Sequence, residues 1–77
     1  MPRRRFHLTF PEHLIHEPVI YTVGKRFDLV TNIRRANVDE RSGWMILEME
    51  GDEEAIVDAV GWLTDRGVHV ERIDEQA

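Results

Sequence analysis

The order of hydrophobic periodicities is the feature that most constrains the fold of this 77-residue chain. Apolar and polar residues alternate, as in strands with one buried face, in four segments: residues 3–10, 27–40, 43–50 and 68–73. Apolar residues recur at helical spacing in two segments: residues 16–27 and 51–67. The chain therefore predicts the element order β-α-β-β-α-β.

Residues at the ends of the two helical segments support the helix assignment. Pro18 suits a first turn, where its missing N–H is not needed, and Lys25 and Arg26 complement the negative end of the helix dipole. Asp52 suits the N-cap of the second helix, and Gly67 suits the residue after its last turn.

The second strand segment changes its burial pattern halfway along. Leu29 and Ile33 share one face, but Ala36 and Val38 are apolar at the opposite parity. The burial pattern therefore switches near the arginines, which predicts a β-bulge or a bend in an edge strand.

This order predicts an α+β fold: a ferredoxin-like βαββαβ sandwich with an antiparallel four-stranded sheet and two helices on one face. One domain is expected over residues 1–77, with its core at about residues 4–73. The sheet face without helices would carry Trp44 and Ile46. A homodimer through this face or the edge of the second strand would cover them, with Trp44, Ile46 and Val38 as interface residues.

Composition excludes several classes of function. The chain has no cysteine, which removes disulfides, thiolate metal sites and thiol catalysis. A net charge of −5 disfavours nucleic-acid partners. No segment is long and apolar enough for membrane insertion, and no signal peptide follows the first arginines, so we expect a cytoplasmic protein.

Few residues offer catalytic or metal chemistry. His7 and His69 fall on neighbouring strands of the expected fold with Glu71 nearby, but nothing else completes a metal-ligand set. Asp52 and the two glutamates after it suit a helix start better than acid–base catalysis. Nucleophile-elbow, phosphate-loop and dinucleotide motifs do not occur. We therefore expect no enzyme, no cofactor and no metal.

Asn32 is a polar residue at a position of the second strand where an apolar residue would be expected. An amide in an edge strand can bond its own backbone. It can also offer donors and an acceptor to the ammonium or carboxylate of a small ligand. Both interpretations are compatible with the residues alone.

Four segments together resemble the NIL domain family: RFHLTF, EPVI, LVTNIRRANV and the run from GWMILEME to VERI. The resemblance covers roughly residues 3–73. The family takes its name from an Asn-Ile-Leu tripeptide in its second strand, which here reads Asn32-Ile33-Arg34 and so departs at the third position.

The resemblance implies a function and its residues. NIL domains occur at the C-terminus of ATPase subunits of methionine ABC transporters, where methionine binds at a dimer interface and inhibits transport, and beside ferredoxin domains. It implies that Asn32, Ile33 and Met45 contact a ligand. The 77 residues include no ATPase or ferredoxin segment, so a free-standing domain acting on such a partner in trans is expected.

The resemblance thus implies a regulatory domain that binds methionine or a related amino acid in a homodimer. One alternative is a protein-interaction adaptor that docks a partner through Trp44 and Ile46. Another is an ACT-like allosteric domain for a different amino acid.

Overall fold

The structure, a computed structural model, describes residues 1–73, so the last four residues of the expected domain lie outside the described part. The chain forms four strands, two α-helices and a short 3-10 helix at Glu12–Leu14. In chain order the elements are β1 (Arg3–Phe10), α1 (Val19–Phe27), β2 (Val30–Val38), β3 (Gly43–Glu50), α2 (Glu53–Asp65) and β4 (His69–Arg72). This order confirms the βαββαβ prediction.

The strands form one antiparallel sheet in the order β2-β3-β1-β4. β1 and β3 are therefore central, whereas β2 and β4 are edge strands. The two helices pack on one face of the sheet, which confirms the α+β ferredoxin-like fold. Within residues 1–73, no helix is long and apolar enough to cross a membrane.

The core lies between the helices and that face. Leu8, Leu47 and Met49 of the central strands are fully buried against Val23 of α1 and Leu63 of α2. Burying an aliphatic side chain of this size contributes about 1.5–3 kcal/mol. This one layer of contacts holds the helices to the sheet.

The helix ends lie close to where the sequence places them. α1 begins directly after Pro18 and ends before Asp28, which adopts the left-handed conformation with φ of 56°. Asp52 is at the N-cap position of α2, although its side chain makes no capping hydrogen bond. Gly67 follows α2 with φ of 103°, a conformation that glycine adopts without a Cβ penalty.

The β2 edge contains the predicted irregularity. Ile33 lies opposite Leu47, but the next pair along the ladder joins Arg35 to Ile46, so Arg34 is an extra residue in β2. The bulge keeps Ile33 and Ala36 on the helix-facing side of the sheet, because each lies opposite a helix-facing residue of β3.

Candidate functional site

An apolar cavity of about 180 Å³ lies where the start of α1 meets the far end of β2. β3 forms its floor through Gly43 and Met45, and Val38 of β2 closes one side. The remaining lining residues come from β1 and from the segment that leads into α1: Phe10, Leu14, Ile15, Glu17, Pro18, Val19, Ile20 and Tyr21. Almost every side chain that lines the cavity is therefore hydrocarbon, thioether or aromatic.

The cavity exists because one lining residue is small and two others are uncovered. Gly43 has no side chain, and a Cβ there would lie 3.3 Å from Cγ2 of Val38. Val38 itself is 57% exposed and Tyr21 is 66% exposed, because no element within residues 1–73 packs over β2 beyond the start of α1. The cavity is therefore open at the sheet edge.

The rim of the cavity carries a negative group, the Glu17 carboxylate, and a positive one, the N-terminal end of α1. Arg66 Nη2 donates to Glu17 Oε1 at 2.9 Å, and no hydrogen bond to the second oxygen of Glu17 occurs within residues 1–73. Pro18 occupies the N-cap of α1 and supplies no side-chain hydrogen bond. The first-turn N–H groups of α1, at the cavity-lining residues Ile20 and Tyr21, therefore carry the positive end of the helix dipole without a side-chain cap.

A second, polar cavity of about 210 Å³ lies on the opposite face of the sheet, at the other end of β2. Its lining residues are Arg3, Val30, Asn32, Arg34, Glu48 and Glu50. Asn32 is exposed and lies directly opposite Glu48 in the β2–β3 ladder.

The charges of the polar cavity already neutralise one another. Glu48 lies 3.3 Å from the guanidinium of Arg5 and 3.9 Å from that of Arg34, and Arg3 lies 3.7 Å from Glu50. The Glu48 side chain is only 13% exposed. A charged ligand would have to compete with these existing pairs.

The three predicted ligand residues separate in the structure. Asn32 lines the polar cavity on the open face, and Met45 lines the apolar cavity on the helix face. Ile33 is 51% exposed on the helix-facing side, opposite Leu47, and lines neither cavity. One small ligand within a single chain therefore cannot contact both Asn32 and Met45.

The three predicted interface residues differ in how far they are exposed. Trp44 and Ile46 are half-buried, and the Trp44 ring stacks on His7 with centroids 5.4 Å apart and an interplanar angle of 15°. Val38 is exposed at the sheet edge. The uncovered apolar surface of the sheet is thus on β2 rather than around Trp44.

Two residues of the apolar cavity, Glu17 and Tyr21, carry polar or aromatic groups that sequence reasoning did not assign to a ligand. Tyr21 falls outside the buried stripe of α1, and an aromatic residue on the polar side of an amphipathic helix was the available signal. Within residues 1–73, no cluster of histidine and acidic side chains is arranged to hold a metal ion.

Comparisons with known proteins agree with this architecture. The family model for the NIL domain matches residues 4–72. Among solved structures, the chain is similar to the C-terminal domain of an ABC transporter ATP-binding protein from Enterococcus faecalis, with a TM-score of 0.80 and 19% sequence identity. That match covers 95% of this chain and 86% of the other. The comparison with curated proteins found no match.

Proposed function

The chain belongs to the NIL domain family, and from that premise we propose that it is a non-catalytic regulatory domain for a small amino acid. The ligand is methionine or a related apolar amino acid, held where two copies of the chain meet. The domain acts on a transporter or ferredoxin-type partner. The similar fold of a domain from an ABC transporter ATP-binding protein supports this proposal.

The apolar cavity beside Met45 is the observation that carries the proposal. Its volume of about 180 Å³ accommodates a short unbranched side chain, and its lining supplies dispersion contacts to a thioether. Each methylene group transferred from water into such a slot contributes about 0.8 kcal/mol. A pocket of this kind selects apolar side chains and rejects charged ones.

The rim of the same cavity matches the polar end of an amino acid. The second oxygen of Glu17 would accept a hydrogen bond from the ligand ammonium. The uncapped first turn of α1 would attract the ligand carboxylate through its N–H groups and the helix dipole. Both groups lie beside the apolar lining, so one amino acid can use all three.

The position of the cavity opening suggests how ligand binding could regulate the pairing of two copies. Val38 and Tyr21 border its exposed side at the sheet edge, which a second copy would cover. A ligand held there would stabilise the paired arrangement over separate chains, since it binds one state better than the other.

Titration of the isotope-labelled chain with L-methionine, followed by two-dimensional NMR, tests the proposal. We expect saturable shifts at Met45, Val38 and the start of α1. Tyr21→Glu introduces a charge at the cavity and should weaken binding about tenfold or more, because that carboxylate repels the ligand's own.

Val57→Glu is the matched control. Val57 is 61% exposed on α2 and lines neither cavity. This variant should bind methionine as the native chain does. Equal weakening in both variants, or no shifts at millimolar methionine, would contradict the proposed function.

A further inference from the structure

We propose that residues 11–18, which connect β1 to α1, form a lid over the apolar cavity, and that an ion pair between Arg66 and Glu17 holds this lid shut. The ligand enters and leaves the cavity when the lid opens. This inference rests on the proposed function for its ligand, and it goes further by naming the element that controls access to the same cavity.

The lid forms one wall of the cavity. Four of its residues are lining residues: Leu14, Ile15, Glu17 and Pro18. The other walls belong to three strands and to α1, and their backbones are fixed by ladder or helix hydrogen bonds. In the proposed function, a second copy covers the open side at the sheet edge. The lid is then the wall that can move without disrupting the sheet or a helix.

The backbone of the lid is bonded only locally. The N–H groups of Leu14, Ile15 and Glu17 donate to carbonyl groups of the lid itself, at 3.0, 3.2 and 3.2 Å. Pro11 and Pro18 at its two ends have no N–H to donate. Within residues 1–73, no backbone hydrogen bond joins the lid to the sheet or to α2. A segment with such local bonding opens more readily than the strands beside it.

Two attachments hold the lid down. Leu14 is 3% exposed and packs in the core. Glu17 accepts a hydrogen bond from Arg66 Nη2 at 2.9 Å, which joins the lid to the C-terminal end of α2. Opening the lid therefore breaks one ion pair and exposes one leucine. The open state is then a minor one, at roughly 1% of the chains.

The end of α2 is a firm support for the lid. The guanidinium of Arg66 lies over the Trp62 ring, 4.8 Å from its centroid, and Trp62 packs edge-on against Phe27. Gly67 is also beside the lid, because a Cβ there would lie 3.8 Å from Cγ of Pro11. The partner of Glu17 is thus held by its own contacts, and the lid is the part that moves.

A bound amino acid would keep the lid shut. Arg66 bonds one oxygen of Glu17, and the ligand ammonium would bond the other. The ligand side chain would also contact Leu14 and Ile15, which line the cavity from the lid. Opening would lose these contacts, so the ligand shifts the lid toward its closed state.

Amide hydrogen exchange of the ligand-free chain, followed by NMR, tests the lid. Arg66→Met keeps the length of the side chain but removes the donor to Glu17. The amides of Leu14, Ile15 and Glu17 should exchange about two- to fivefold faster than in the native chain, as expected for the loss of an exposed ion pair. The amide of Leu47 in the central strand β3 should be unchanged, which shows that the variant is folded.

Arg26→Met is the matched control. The Arg26 guanidinium also lies near an aromatic ring, 5.9 Å from the centroid of Phe27, but within residues 1–73 it makes no hydrogen bond to the lid. Lid amides of this variant should exchange as in the native chain. Equal acceleration in both variants, or none in Arg66→Met, overturns the inference.

The kinetics of methionine binding test the route. Arg66→Met should raise the association and dissociation rate constants of L-methionine together, about two- to fivefold, because both steps pass through the open lid. Unchanged rate constants in a variant whose lid exchanges faster would overturn the route. Faster lid exchange with no response of either chain to methionine upholds the lid and contradicts the proposed ligand alone.

Discussion

Asn32 and Met45 lie on opposite faces of the same sheet. Asn32 is opposite Glu48 and lines the polar cavity, whereas Met45 is opposite Ala36 and lines the apolar cavity beneath α1. A β-strand directs successive side chains to alternate faces, so residues 32 and 48 share a face that residue 45 does not. Asn32 and Met45, which the family resemblance assigns to one ligand, therefore belong to two separate surfaces.

Substitution of Asn32 distinguishes the two surfaces. If the ligand occupies the cavity beside Met45, Asn32→Ala should leave the methionine affinity within about twofold, since remote sites act independently. Isothermal titration of the native and variant chains gives the comparison.

A tenfold loss in Asn32→Ala would instead place the ligand on the open face and support the contact that the family resemblance implies. Thr9→Ala is a suitable control, because Thr9 is an exposed residue of that face and lines neither cavity. It should bind as the native chain does in either case.

The two helical glycines should respond differently to alanine. Gly61→Ala should raise the free energy of unfolding by about 1 kcal/mol, because alanine favours the helix and a Cβ at Gly61 meets no atom within 4 Å. At Gly24, a Cβ would lie 3.2 Å from the Leu29 carbonyl oxygen, so the same change should yield a smaller gain or a loss.

Urea denaturation of the two variants measures this difference directly. A gain at Gly24→Ala equal to that at Gly61→Ala would show that α1 can move away from the start of β2. It would then contradict the close approach between these elements.

Much of this architecture follows from sequence periodicity. The bulge near Arg34 is predictable because a change of parity between Ile33 and Ala36 has a simple structural cause. The glycine at position 24 has a simple structural reason too, because a Cβ there would lie 3.2 Å from the Leu29 carbonyl oxygen and 3.5 Å from Cγ2 of Thr31.

The candidate site is harder to predict because it depends on which residues are left uncovered. The exposure of Val38 results from the position of α1 over the sheet, which no local pattern encodes. Similarly, Trp44 is an apolar residue on the open face in the sequence, but its ring is partly covered by His7 through a cross-strand contact. The sequence also places Asp52 correctly at the N-cap of α2. It does not indicate the side-chain rotamer, in which Asp52 makes no capping hydrogen bond.

The hairpin between β2 and β3 should lose stability in acid. The backbone N–H of Arg41 first, and that of Ser42 second, bond to Asp39 and hold the pKa of its carboxyl below the ordinary value of 3.8. Because the folded pKa is the lower one, Asp39 stabilises the fold at pH values above 3.8. That contribution is lost as the pH falls from 3.8 through the folded pKa.

Asp39→Ala should therefore be destabilised relative to the native chain at neutral pH, and the difference should narrow below pH 3.8. Thermal unfolding at a series of pH values measures it. Glu40→Ala is the control, because Glu40 is an exposed neighbour without these turn bonds. A difference that stays constant with pH would contradict the role of the ionised Asp39.

The length of the ligand side chain should determine affinity if the apolar cavity is the binding site. Norleucine replaces the methionine sulfur with a methylene group of similar shape, so its affinity should lie within a few-fold of that for methionine. Each methylene group removed from norleucine should weaken binding about fourfold, since it withdraws about 0.8 kcal/mol of apolar burial. Alanine, which is three methylene groups shorter than norleucine, should therefore bind about sixtyfold more weakly than norleucine.

Calorimetric titration with norleucine, norvaline, 2-aminobutyrate and alanine measures this series. D-methionine tests the rim, because inverting the α-carbon separates the ammonium from Glu17 when the carboxylate stays at the start of α1. Affinities independent of side-chain length would show that the ligand's polar end alone is recognised. They would contradict binding of the ligand side chain in the apolar cavity beside Met45.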